Sequence, residues 1–228
     1  MSAMDRSLIR QALVELAGEL RRERLHADIF VVGGAAITLA FEDRPGTKDV
    51  DAVFTNPTRV RAAAERVGAR LDLPGDWLND GVKGFMPRSV DSDASVFLDE
   101  PGLQVMVASP RYVLGMKLAA ARVPEDVADI RRLASHLGLR TPREVLEVAT
   151  SLYEGTGVDL PPRTRFLVEE MLGASSFPDP PEAGRRDPPE SPNSSEAQTP
   201  RARPPGNRPK YSSPSMRPRR PDTHDRGR

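Results

Sequence analysis

Two short runs in this 228-residue chain carry residue types that can do chemistry together. The first, Phe30-Val31-Val32-Gly33-Gly34, is an apolar run ending in two glycines. The second, Thr47-Lys48-Asp49-Val50-Asp51-Ala52-Val53-Phe54, places two aspartates two residues apart. In an extended strand residues i and i+2 project to the same face. Asp49 and Asp51 are therefore expected side by side, and beside the diglycine bend if the two runs are neighbouring strands. Paired carboxylates suit Mg²⁺, which is typically held by one or two carboxylates together with substrate phosphates. A glycine turn that opens a helix turns backbone N–H groups and the positive end of the helix dipole toward a phosphate. Metal beside phosphate is the minimum apparatus for moving a nucleotidyl group. Each feature also has a plainer reading: solvated acids on an edge strand, and glycines that only let a helix pack closely on a strand.

A second set lies further along. Lys117 sits among Leu114, Met116, Leu118 and Ala120, where a lysine either serves the site or extends its ammonium to water. Arg122, Asp126 and Asp129 share a helical face if the helix is continuous, and an ion pair four residues apart is the ordinary explanation. His26, His136 and His224 are scattered without ligand spacing, and there are no cysteines. That excludes disulfides, thiolate sites and a histidine metal centre, and fits a reducing cytoplasm.

The elements that must position these residues can be read from periodicity. Ile9, Leu13, Leu16 and Leu20 predict an amphipathic helix from Leu8 to about Arg24. Ile29 to Val32 predicts a central strand, apolar on both faces. A short helix is expected over 35–41, a turn at Arg44-Pro45-Gly46, and a second strand over 48–54 with Asp49, Asp51 and Val53 on one face. Asn56-Pro57 reads as a helix start, with Gly68 ending that helix. Residues 69–94 give no clear pattern. Ala94–Leu98 and Leu103–Val107 predict a hairpin. Helices follow over 111–122, over 124–137 and from the capping box Thr141-Pro-Arg-Glu144, with a last one over about 163–172.

From about Ala174 the composition changes. This segment holds 13 of the 23 prolines, with 11 basic residues against 7 acidic ones. It has too little apolar surface to offset chain entropy, so residues 174–228 are expected to form a disordered Pro/Arg-rich tail. The folded part is then 1–173, with a sheet core over about 28–108 and a helical part over about 111–173. The lysine and arginines after Thr199 read most simply as a solubilising extension, and would attract RNA or another polyanion weakly and in a salt-dependent way. MSAMDRSLIRQALVEL lacks the apolar core of a signal peptide, and no apolar run reaches the ~18 residues of a membrane span. The expectation is a cytoplasmic protein with no membrane partner.

The diglycine and Thr47-Lys-Asp49-Val-Asp51 resemble the nucleotidyltransferase fold of the polymerase-beta-like superfamily, in which Gly-Gly or Gly-Ser closes one strand and Asp-x-Asp lies on the next. Arg44-x-x-Thr47-x-Asp49-x-Asp51 and the later Lys117…Arg122…Asp126…Asp129 run are similar to two motifs of AbiEii-type nucleotidyltransferases, toxins of type IV toxin–antitoxin systems. The similarity covers roughly residues 28–137. It implies an α/β (α+β) fold, a small mixed sheet flanked by helices, and transfer of a nucleoside monophosphate from an NTP. Asp49 and Asp51 would hold Mg²⁺ and act in catalysis. Gly33, Gly34, Thr47, Lys48, Lys117 and Asp129 would bind the nucleotide. The acceptor would be tRNA, other RNA or a protein, with a cognate antitoxin as partner. Active members of the superfamily usually add a third carboxylate on a neighbouring strand. Gln104 is not an acid; Asp80, Asp91, Asp93 and Asp99 are the candidates, and Asp80 is taken as the third catalytic residue. Two other functions fit the same residues: an inactive nucleotidyltransferase-like binding module, and a small-molecule nucleotidyltransferase of the aminoglycoside-modifying kind.

Overall fold

The computed structural model describes residues 3–42, 44, 46–122 and 124–173; the expected tail lies outside them. Alternating burial makes the strands. In β1 (Ala27–Val31) and β2 (Val50–Phe54) every second residue is buried, and the same pattern recurs in β5 (Leu103–Val107). With β3 (Leu78–Asn79) and β4 (Ser95–Glu100) they form one mixed sheet in the order β3-β2-β1-β5-β4. β1 is antiparallel to β2 and parallel to β5, β2 is parallel to β3, and β4 is antiparallel to β5. A register shift between Val96 and Leu98 leaves Phe97 as a bulge in β4, which bends the outer strand.

Helix α1 (Arg6–Arg22) starts where Asp5 accepts the Leu8 N–H at 2.8 Å, and it buries Ile9, Leu13, Leu16 and Leu20. It packs on α3 (Pro57–Leu71) and on β4 and β5. Glu19 of α1 accepts from Arg66 and Arg70 of α3, both at 2.9 Å, and these partners outweigh burial in holding its carboxyl below the ordinary range. Gly68 does not end α3 as the sequence suggests. It lies inside the helix against Trp77, where a Cβ would stand 3.1 Å from the indole ring. The buried Trp77 donates to the Ala64 carbonyl at 2.9 Å. A glycine mid-helix costs about 0.5–1 kcal/mol, and here it makes room for the only tryptophan.

The remaining helices are α2 (Gly33–Ala40), α4 (Pro110–Ala120), α5 (Val127–His136), α6 (Pro142–Leu152) and α7 (Pro162–Gly173). α4 packs on α2, α5 and α6, and α7 on α6. The capping box at Thr141 and Glu144 is formed as expected. α5 begins three residues later than its proline suggests. Asp126 stands at the cap position but makes no capping bond, because its carboxylate is taken by Lys117 and Arg122. Helices α4 and α5 are separate, with Ala121 in left-handed backbone after α4.

Candidate functional site

The antiparallel pairing of β1 and β2 brings the two sequence motifs together. Val31 faces Ala52, and the Val32 N–H donates to the Asp51 carbonyl at 2.9 Å. The next residue, Gly33, begins α2 with φ +61°. A Cβ on Gly33 would lie 3.0 Å from Asp51 Oδ2, and one on Gly34 would lie 2.9 Å from Thr47 Oγ1. The diglycine is thus the place where the helix start, one aspartate and the threonine converge, and left-handed backbone at Gly33 adds a second reason for glycine. Aliphatic Val32 supplies no side-chain cap to α2, and first-turn N–H groups have no partner within their own helix.

Asp49 stands one residue before β2 and is half-buried. Burial, and then the charge of Asp51, push its carboxyl above the ordinary aspartate range; a 3.0 Å hydrogen bond from Asn79 Nδ2 pulls the other way without cancelling them. Asn79 is the β3 residue in register with Asp51, and its Oδ1 accepts from the Gly81 N–H at 3.2 Å. An amide therefore stands on the neighbouring strand beside the aspartate pair. The residue after it, Asp80, is turned to other partners. It bonds both oxygens to Arg61 at 2.7 Å and also pairs with Lys83. Those two cations hold its carboxyl down to about 2. Asp91 is likewise spoken for, by the Ser109 N–H and hydroxyl at 2.7 and 2.9 Å. Among the described residues no group of three or more His, Cys, Asp or Glu side chains is placed to share a metal ion.

Beside Asp51 opens a cleft of about 340 Å³ whose walls include Gly33, Lys117 and Arg122. Lys117 is 6% exposed, and its ammonium sits 2.6 Å from Asp126 and 3.0 Å from Asp129. Arg44 grips both oxygens of Asp129 at 3.0 and 2.9 Å and donates to Thr38 Oγ1 at 2.7 Å. The Thr38 hydroxyl in turn donates to the Gly34 carbonyl at 3.1 Å. Burial would raise the Asp129 carboxyl, but Arg44 and Lys117 outweigh it and hold it low. The result is one connected chain of polar contacts from α5 to the diglycine. Arg122 pairs with Asp126 at 3.2 Å while its side chain stays 65% exposed, so a cation remains open to the cleft.

Of the residues singled out in the sequence, Gly33, Asp51 and Lys117 line the cleft, Gly34 meets Thr47, and Asp49 joins through Asn79. Lys48 is exposed. Asp129 reaches the diglycine only through Arg44. The sequence reading assigned no role to Arg44, although it stands at the head of the Arg-x-x-Thr-x-Asp-x-Asp run, and that place was the available signal. It missed Asn79 because a two-residue strand has no periodicity to find.

A helix-flanked mixed sheet in which a diglycine helix start meets an Asp-x-Asp strand agrees with the nucleotidyltransferase-like class. Residues 10–146, more than half of the chain, match the family described as a nucleotidyltransferase of unknown function (DUF6036), and the chain belongs to that family. Neither the curated proteins nor the solved structures contain a match. No helix among the described residues is long and apolar enough to cross a membrane.

Proposed function

We propose that this protein transfers a nucleoside monophosphate from an NTP to a hydroxyl acceptor. The observation that carries the reading is the 3.0 Å approach between the Gly33 Cβ position and Asp51 Oδ2, which sets a helix N-terminus against one carboxylate of the Asp49/Asp51 pair. In the reaction the acceptor oxygen bonds to the α-phosphorus, the bond to the bridging oxygen breaks, pyrophosphate leaves, and the hydroxyl proton passes to solvent. Such chemistry needs positioning and charge stabilisation more than a covalent intermediate.

The donor set fits Mg²⁺. Asp49 and Asp51 are hard oxygen ligands; burial first, and then the neighbouring Asp51 charge, raise the Asp49 carboxyl, and a divalent ion would offset both. When bound, the ion would supply charge stabilisation to the attacking and leaving oxygens. The chain's own residues do the rest. The first-turn N–H groups of α2 and the exposed Arg122 face the triphosphate, Asn79 orients Asp49, and the Lys117–Asp129–Arg44 contacts, continued through Thr38, brace the Gly34 carbonyl. Asp80 is left out of the chemistry, because Arg61 and Lys83 already occupy its oxygens.

The similarity to AbiEii-type motifs supports an RNA such as tRNA, or a protein, as acceptor, a cognate antitoxin as partner and a cytoplasmic setting. The Arg-rich segment after Thr199 favours RNA of the two acceptors. The test is incubation of the protein with each labelled NTP, Mg²⁺ and total RNA or total protein. Label transfer that disappears in Asp49→Asn and Asp51→Asn is the expected result; binding of nucleotide without transfer under any acceptor would refute the enzyme. One observation favours that second reading, a nucleotide-binding module without activity: the residue in register with Asp51 is Asn79 rather than an acid.

A further inference from the structure

The cleft beside Asp51 has two unlike linings. Gly33, Asp51, Lys117 and Arg122 are polar or backbone; Val82, Phe85, Met116 and Ala120 are apolar. The apolar set comes from two elements. Val82 and Phe85 belong to a 3-10 turn over Gly81–Phe85, and Met116 and Ala120, four residues apart, share one face of α4. Phe85 is 70% exposed although it is among the largest apolar side chains in the chain. Its backbone is nevertheless fixed, since the Tyr153 hydroxyl at the end of α6 donates to the Phe85 carbonyl at 2.8 Å. An aromatic ring held out from an anchored backbone loses little freedom when it is covered. The core gives it no role, and the cleft it lines has the volume of a small-ligand site.

A ligand that matches this lining has a charged end for Arg122 and the helix start, and a flat apolar end for Phe85. We propose that Phe85 is the stacking platform for the base of the bound nucleotide, so that the site takes purine nucleoside triphosphates with little distinction between adenine and guanine. The proposal rests on the reading of the cleft as a nucleotide site. None of the four apolar side chains carries a hydrogen-bonding group, so the base is held by its face rather than read by its edge. Stacking is tolerant of sequence, and the larger purine face gains more from it than a pyrimidine.

The experiment is calorimetric titration of the full chain and of Phe85→Ala and Phe85→Trp, with Mg²⁺ present, using ATP, GTP, UTP and inorganic tripolyphosphate. The expected result is that ATP and GTP bind alike and more tightly than UTP. Phe85→Ala should weaken ATP roughly 5- to 150-fold, the range for loss of one base–aromatic stack. It should leave tripolyphosphate unchanged, and Phe85→Trp should restore ATP. Equal ATP affinity in wild type and Phe85→Ala overturns the stacking role and leaves the nucleotide site standing. A matching loss of tripolyphosphate in Phe85→Ala overturns it as well, since the substitution then acts on the phosphate end. Wild type that binds neither ATP nor tripolyphosphate overturns both this inference and the function on which it rests.

Discussion

Replacing Lys117 with Met tests whether the polar chain from α5 to the diglycine is the clamp that the geometry makes it. The ammonium is nearly inaccessible and lies within 3.0 Å of two carboxylates. Methionine fills the same space but leaves those carboxylates with one cation fewer. Removing one partner of a buried ion pair costs about 3–5 kcal/mol. Here each acid keeps another partner, Arg44 for Asp129 and Arg122 for Asp126, which places the loss at the lower end, about 3 kcal/mol. In a domain of this size each kcal/mol moves the midpoint by roughly 2–4 °C, so thermal unfolding at pH 7 should show a fall of roughly 6–12 °C. The pH dependence adds a sign. The Asp129 carboxyl is depressed in the folded protein. Its contribution is fully present above the unfolded aspartate value of about 3.9 and is lost as pH falls through the folded one. The gap between Lys117→Met and wild type should therefore hold from pH 7 to pH 5 and narrow below about pH 4. A fall under roughly 2 °C at pH 7, or one of equal size at pH 3, would refute the reasoning.

Three further perturbations bear on the cleft. Asp49→Asn removes a carboxylate that burial and Asp51 push up. Its charge opposes folding as pH rises above about 3.8, so the ligand-free variant should melt higher than wild type at pH 7.5, with the advantage shrinking toward pH 4. The same variant should lose Mg-nucleotide binding by calorimetry; a lower midpoint at neutral pH contradicts the electrostatics. Asp80→Asn should lower stability by under about 1 kcal/mol, since its partners are surface cations, and should retain nucleotidyl transfer; a folded but inactive variant would return Asp80 to the chemistry. Gly34→Ala gains at most about 0.5–1 kcal/mol of helix propensity in this first turn, but puts a Cβ 2.9 Å from Thr47 Oγ1 and forces that side chain aside at a cost of about 1–3 kcal/mol. Its midpoint should drop by a few degrees in a thermal melt, whereas an unchanged or higher midpoint would mean that the close approach is dispensable.

Much of the scaffold was legible because burial is periodic. The alternation in Val50-Asp51-Ala52-Val53-Phe54 and the spacing of Ile9, Leu13, Leu16 and Leu20 fix faces without any tertiary knowledge. The diglycine and the aspartate pair were legible as types, and their adjacency followed once the two runs were taken as neighbouring strands. What could not be read is what depends on distant partners. Gly68 looks like a helix terminator until Trp77 is seen to need its space. Asp126 looks like a first-turn acid until Lys117 and Arg122 claim its oxygens. Arg44 and Asp129 are 85 residues apart in the chain, and no local pattern links them. Trp77-Leu78-Asn79 yields only a two-residue strand, so the amide beside Asp51 gave no signal, and the carboxylate that attracted notice next door, Asp80, belongs to an ion pair.

The residue two places ahead of α1 reaches the loop between α2 and β2. Met4 is buried and exchanges two backbone hydrogen bonds with Thr47, one at 2.6 Å and one at 2.9 Å, as an isolated antiparallel bridge. Thr47 is the residue that closes on Gly34, so the opening residues serve as a brace for the loop between α2 and β2. Removal of Met4 would break both of those bonds and loosen that loop without touching any residue that lines the cleft.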